Sequence, residues 1–99
     1  MKKSCLSLIF FTHHIFASVT FNESIISTNA DGAKSVHALD MDGDGDMDVL
    51  STSYSDDKVA WYENDGSQNF TEQVISTNAD GARSVHALDM DGDGDMDVL

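Results

Sequence analysis

The sequence predicts an all-β protein assembled from antiparallel four-stranded units. Three observations lead there. Short runs rich in Val, Ile, Thr, Tyr and Trp are separated by turn dipeptides. No stretch beyond the first residues carries a helical period of about 3.6. And the chain repeats itself at a spacing of 49 residues, with Ile26 to Leu50 matching Ile75 to Leu99 at 24 of 25 positions and only Lys34 changed, to Arg83. Upstream the match fades but persists, since Ser18, Phe21 and Glu23 recur as Ser67, Phe70 and Glu72. The repeat region therefore spans residues 18–99, as a unit at 26–74 and a shorter one at 75–99.

Residues 1–17 read as a secretory leader. Lys2 and Lys3 give a basic start, Cys5 to Phe11 forms an apolar run, and Ile15-Phe16-Ala17 fits the approach to a cleavage site. His13 and His14 interrupt the apolar run before it reaches membrane-spanning length. A leading strand is the alternative for this segment. Cys5 is the single cysteine and lies within it, so the repeat region has no disulfide to draw on.

Within one unit the punctuation marks four strands. "SVHALD" (35–40) alternates apolar and polar residues. "DVLSTSY" (48–54) follows an aspartate-rich loop, "KVAWYEN" (58–64) follows Ser55-Asp56-Asp57, and "NFTEQVIST" (69–77) follows Asn64-Asp65-Gly66. Each gap has hairpin length, and the Asp-Gly pairs at 31–32, 65–66 and 80–81 suit turns that need positive φ.

The charge is concentrated rather than spread. The chain has 18 acidic residues against five Lys and Arg, a formal net charge of −13, with ten of the acids in two copies of "DMDGDGDMD". Such a distribution argues against a nucleic-acid partner, which requires clustered basic residues. In the first loop Asp40, Asp42, Asp44, Asp46 and Asp48 occupy alternate positions, and in the second Asp89, Asp91, Asp93, Asp95 and Asp97 do the same. Two carboxylates about 4 Å apart repel by about 4 kcal/mol at an effective dielectric near 20, so a compact loop of this kind calls for a cation. Calcium fits best: it takes about six to eight oxygens in flexible geometry. A glycine at position six lets the side chains at one, three and five and the carbonyl at seven converge on it. The aspartate at position nine closes the shell. An EF-hand is excluded because Ser51 stands where its bidentate Glu belongs and the flanks are strands. Magnesium retains more water than such a cage allows, and zinc lacks its Cys and His ligands here.

"DMDGDGDMDVL", preceded by "ADGAxSVHAL" and followed by "KVAWYENDG" and "FTEQVIST", resembles the FG-GAP-like repeat, also called the VCBS repeat, related to the calcium-binding blades of integrin α-subunit propellers. The resemblance runs over residues 18–99. It implies four-stranded antiparallel blades of a β-propeller, about two of them present and the ring incomplete, with Ca²⁺ in the loop joining neighbouring strands. The implied ligands are Asp40, Asp42, Asp44 and Asp48 with the Asp46 carbonyl, and their counterparts Asp89, Asp91, Asp93, Asp97 and Asp95. On that basis the Asp46 and Asp95 side chains are expected to face water.

His37 and His86 sit at equivalent strand positions and are expected to be packed or solvent-facing rather than ligands. Trp61 and Tyr62 are expected to pack between or at the rim of blades, with sugar stacking the alternative. Asn22-Glu23-Ser24 and Asn69-Phe70-Thr71 fit the glycosylation sequon. No nucleophile elbow, zincin, P-loop or dinucleotide motif occurs, and the aspartates share one loop rather than facing across a cleft, so no catalysis is expected. The function expected is a secreted or cell-surface calcium-binding propeller module, an interaction or adhesion scaffold for an extracellular protein or carbohydrate. A non-catalytic accessory domain of a larger secreted carbohydrate-active enzyme is the alternative. Repeat arrays need about three units for a shared core, so further repeats or self-association are expected to complete it.

Overall fold

A computed structural model of the chain describes residues 18–99; the expected leader at 1–17 lies outside the described residues. The first unit is a four-stranded antiparallel meander: β1 (Ala33–Leu39), β2 (Asp48–Ser53), β3 (Lys58–Asn64) and β4 (Phe70–Ser76), hydrogen-bonded in chain order. The second contributes a two-stranded sheet of β5 (Ala87–Leu88) and β6 (Asp97–Val98). All four strands expected in the first unit are present. β1 stops at Leu39, one residue short of expectation, because the Asp40 carboxylate turns to accept loop N–H groups instead of continuing the ladder. β2 stops at Ser53 because the Tyr54 N–H is given to the Gly32 carbonyl at 3.0 Å.

Period-two alternation sorts the side chains onto two faces. Leu50 stands opposite His37 on one side and Trp61 on the other, and Thr52 opposite Val59, which assigns these residues to one face. The other carries Val36, Ala38, Val49, Ala60, Tyr62 and Val74, linked by the pairs Ala38–Val49, Val49–Tyr62 and Ala60–Val74. The first face receives the second unit, whereas on the other Ala60 and Tyr62 are buried and Val36 and Val74 are exposed. Leu50 and Val59 are buried with Val85 and Ala87 of the second unit, and Leu39, Met41, Trp61, Ala79 and Val98 pack around them. This apolar cluster thus lies between two units, not inside one. This is the physical reason why repeat units are unstable singly.

Polar contacts fix the second unit on the first. The Ala79 N–H donates to the Asp57 carbonyl at 3.0 Å, and the Gly81 N–H to the Asp57 carboxylate at 3.2 Å. Asp57 holds a left-handed φ of 53°, a conformation that Asp tolerates better than most residues. Lys34 and Arg83, the single difference between the repeats, both lie over the Tyr54 ring, at 5.5 and 5.3 Å from its centroid. The position thus keeps a cation in both units, consistent with a cation–π contact worth about 0.5–1 kcal/mol at an exposed site. At the same end of the sheet, Lys58 is buried between Glu72 at 3.1 Å and Asp56 at 3.7 Å and donates to the Asn29 carbonyl. Burial opposes its charge, but the hydrogen bond to Glu72 and the surrounding carboxylates win, holding its ammonium above the ordinary lysine value.

Candidate metal centre

Each aspartate loop joins the first two strands of its unit. In the first, Gly43 and Gly45 take φ of 77° and 94°, which reverses the chain sharply enough for the following N–H groups to point back at Asp40. Asp40 accepts from the N–H groups of Gly43 (2.8 Å) and Asp44 (3.1 Å) on Oδ1 and from Gly45 (2.9 Å) on Oδ2. The second loop repeats this: Asp89 accepts from Gly92 at 2.6 Å, Asp93 at 3.1 Å and Gly94 at 2.9 Å. Two nearly identical sequences thus form the same loop in two different surroundings, so the loop conformation is encoded locally.

At the neck of the first loop, Asp48 is fully buried. Its Oδ2 accepts from the Met41 N–H at 3.0 Å and its Oδ1 from the Asn64 N–H at 2.8 Å. Carboxylate oxygens of Asp40, Asp42 and Asp48 lie within 4.8 Å of one another, as do those of Asp89, Asp91 and Asp97. Asp44 and Asp93 stand outside these triads, each accepting the N–H two residues on at 2.8 Å. Asp46 does not simply face water as expected. Its carboxylate packs on Gly66, so closely that a Cβ there would lie 2.8 Å from Oδ2. Asp95 is exposed, in line with expectation.

The donor chemistry fits a hard divalent cation. Every group in the triad is a carboxylate, and each retains lone pairs after its backbone bonds are counted. The charges also respond to one another. The Gly45 N–H, followed by those of Gly43 and Asp44, outweighs partial desolvation and holds the Asp40 carboxyl below its ordinary 3.8. Asp42 moves the other way: desolvation and the neighbouring charges of Asp44 and Asp48 raise it. A site in which one carboxylate is stabilised by backbone dipoles and its neighbour by losing its charge gains from an added positive ion.

Asn64, expected only to end one strand and open the next turn, is the clamp of the first loop. Besides its N–H to Asp48, its side-chain Nδ2 donates to the Met47 carbonyl at 2.9 Å, and its Oδ1 accepts from Gly66 and Gln68, both at 3.0 Å. It is the last residue of β3, so it ties the loop to the far hairpin. Its position directly before Asp-Gly marks a turn and carries no sign of the contact with Asp48. In the second loop Asp97 accepts from Met90 at 2.8 Å, and no counterpart of Asn64 holds it among the described residues. His37 and His86 belong to neither triad; their rings meet at 5.0 Å and 51° between the units. Trp61 packs on the inter-unit core, as expected.

A four-stranded antiparallel blade whose first hairpin carries an alternating aspartate loop, with a second copy packed on its face, defines a repeat module of the propeller type. The sequence profile of the FG-GAP-like repeat matches residues 40–99, and the chain belongs to that family. No curated protein and no solved structure matches the chain.

Proposed function

We propose that this protein is an extracellular calcium-binding β-propeller repeat module that serves as an interaction or adhesion scaffold. The observation that carries the metal is the pair of converging triads, Asp40–Asp42–Asp48 and Asp89–Asp91–Asp97, formed twice from the same loop. Asp44 and Asp93 complete the acidic donor set, and the Asp46 and Asp95 carbonyls occupy the seventh loop position. Membership of the FG-GAP-like family supports the scaffold role, as does the absence of any catalytic motif in the sequence. Millimolar extracellular calcium suits the expected affinity of about 10⁻⁴ to 10⁻³ M. Bound calcium would neutralise the crowded carboxylates and hold the hairpin that borders the inter-unit core. The partner is an extracellular protein or carbohydrate met by the blade rims.

Titration calorimetry with Ca²⁺ and Mg²⁺ tests the metal. Two sites preferring Ca²⁺ are expected, the first tighter because Asn64 braces Asp48. Asp42 and Asp91 are exposed and bear little of the fold. Asp42→Ala and Asp91→Ala should therefore each remove one site, while Asp46→Ala weakens binding only modestly. Equal affinity for both ions, or none for either, would remove the proposal.

A further inference from the structure

His37 and His86 meet across the join between the units. Their ring centroids are 5.0 Å apart and the ring planes are inclined at 51°, which is neither the offset stack nor the edge-to-face approach that aromatic pairs prefer. The separation suits two ligands of one ion. With a metal–nitrogen bond of about 2.0–2.1 Å, two imidazoles at a tetrahedral angle have ring centres roughly 5 Å apart. Among the described residues neither ring makes a hydrogen bond or an ion pair, so the imidazole nitrogens are uncommitted. His86 is exposed and His37 half-buried, which gives an ion access from solvent. Both backbones are fixed. His37 lies in β1 opposite Leu50, and His86 exchanges N–H···O bonds with Leu99 at 3.0 and 2.9 Å. The bonds from Ala79 and Gly81 to Asp57 hold one unit on the other.

We propose that His37 and His86 form a metal site of a second kind, a two-histidine centre that takes a divalent transition-metal ion such as Zn²⁺ and bridges the two units. Imidazole is a donor that suits zinc and copper, whereas calcium and magnesium prefer oxygen. Neither histidine belongs to the aspartate triads, so the site stands apart from them and does not depend on calcium in the loops. Water fills the remaining coordination positions. The two ligands are 49 residues apart in the chain and belong to different units, so only the packed arrangement presents them together. An ion held by both therefore ties the units to one another and favours the packed state over the separated one.

Titration of the 99-residue protein with Zn²⁺ in an excess of calcium, followed through the imidazole NMR signals, tests this. One equivalent of zinc should move the His37 and His86 signals together. His37→Ala and His86→Ala should each weaken the zinc response of the remaining imidazole by at least about tenfold, because one ligand no longer holds the ion at high local concentration for the other. His13 and His14 are adjacent in the chain and are themselves zinc donors, so the variant carrying His13→Gln and His14→Gln should keep the full response of His37 and His86. If His37→Ala loses its β-sheet by circular dichroism, His86→Ala, at an exposed position, carries the comparison. Zinc taken only by the aspartate loops or by His13 and His14 would leave the His37 and His86 signals in place and overturn the proposal. So would signals that move at different zinc concentrations, or single variants that respond as the parent does.

Discussion

Replacing Asp48 by Ala, and separately Asp97 by Ala, makes one chemical change at equivalent positions of two nearly identical loops. The surroundings differ. Asp48 is fully buried and accepts from two backbone N–H groups, those of Met41 and Asn64. Asp97 is half-buried and accepts from Met90 alone among the described residues. A hydrogen bond to an ionised group is worth about 1.5–3 kcal/mol, and a buried donor left without a partner costs about 1–3 kcal/mol. Losing two such bonds in a dry site should cost about 3–5 kcal/mol, and losing one at a wetter site about 1–2 kcal/mol. With about 4–8 °C per kcal/mol for a domain of this size, Asp48→Ala should lower the melting temperature by at least about 12 °C and Asp97→Ala by roughly half as much or less. Thermal unfolding followed by far-ultraviolet circular dichroism, with calcium chelated so that metal binding does not contribute, provides the comparison. Should Asp48→Ala leave the sheet unfolded at room temperature, Asp48→Asn, which keeps one acceptor, supplies the milder point. Equal losses for the two positions, or a larger one for Asp97, would refute the brace from β3 as the feature that distinguishes the loops.

Two further outcomes follow from the charges. Asp42 is raised in the fold, so its ionisation opposes folding: its favourable contribution exists below the ordinary 3.8 and is lost as pH rises through the higher folded value. Asp42→Asn should therefore raise the melting temperature slightly at neutral pH without calcium and lower it relative to the parent when calcium is saturating; a shift of one sign in both conditions would contradict this. Lys58 is raised as well, so its contribution is complete below 10.5 and disappears only as pH climbs through the higher folded value. Glu72→Gln weakens that ion pair in a partly open site and should cost about 1–2 kcal/mol in urea unfolding at neutral pH, with a smaller loss above pH 11 or so as the ammonium discharges.

Much of the molecule is legible one neighbourhood at a time. Alternation of apolar and polar residues, punctuated by Asp-Gly, places all four strands of the first unit within two residues of where they lie. The aspartate loop folds alike in both units because its hydrogen bonds run between residues two to five apart, so its conformation travels with the sequence. Of the five alternate carboxylates in each loop, three converge, those of Asp40, Asp42 and Asp48 and of Asp89, Asp91 and Asp97.

Other features depend on what stands opposite a residue. Asn64 gives no sign in the sequence that its N–H meets Asp48, because that pairing spans 16 residues and is brought about by the antiparallel return of β3. Asp46 was expected in water and lies on Gly66, across the same hairpin. Val36 and Val85 make the point most directly. Their flanking residues match except for Lys34 and Arg83, so no reading of local pattern could separate them, yet one is open and the other buried. The sequence by itself determined the strands and the aspartate loops, each a matter of neighbours along the chain. Only the tertiary structure decided which copy of an identical apolar face is covered, because burial depends on the unit packed against that face.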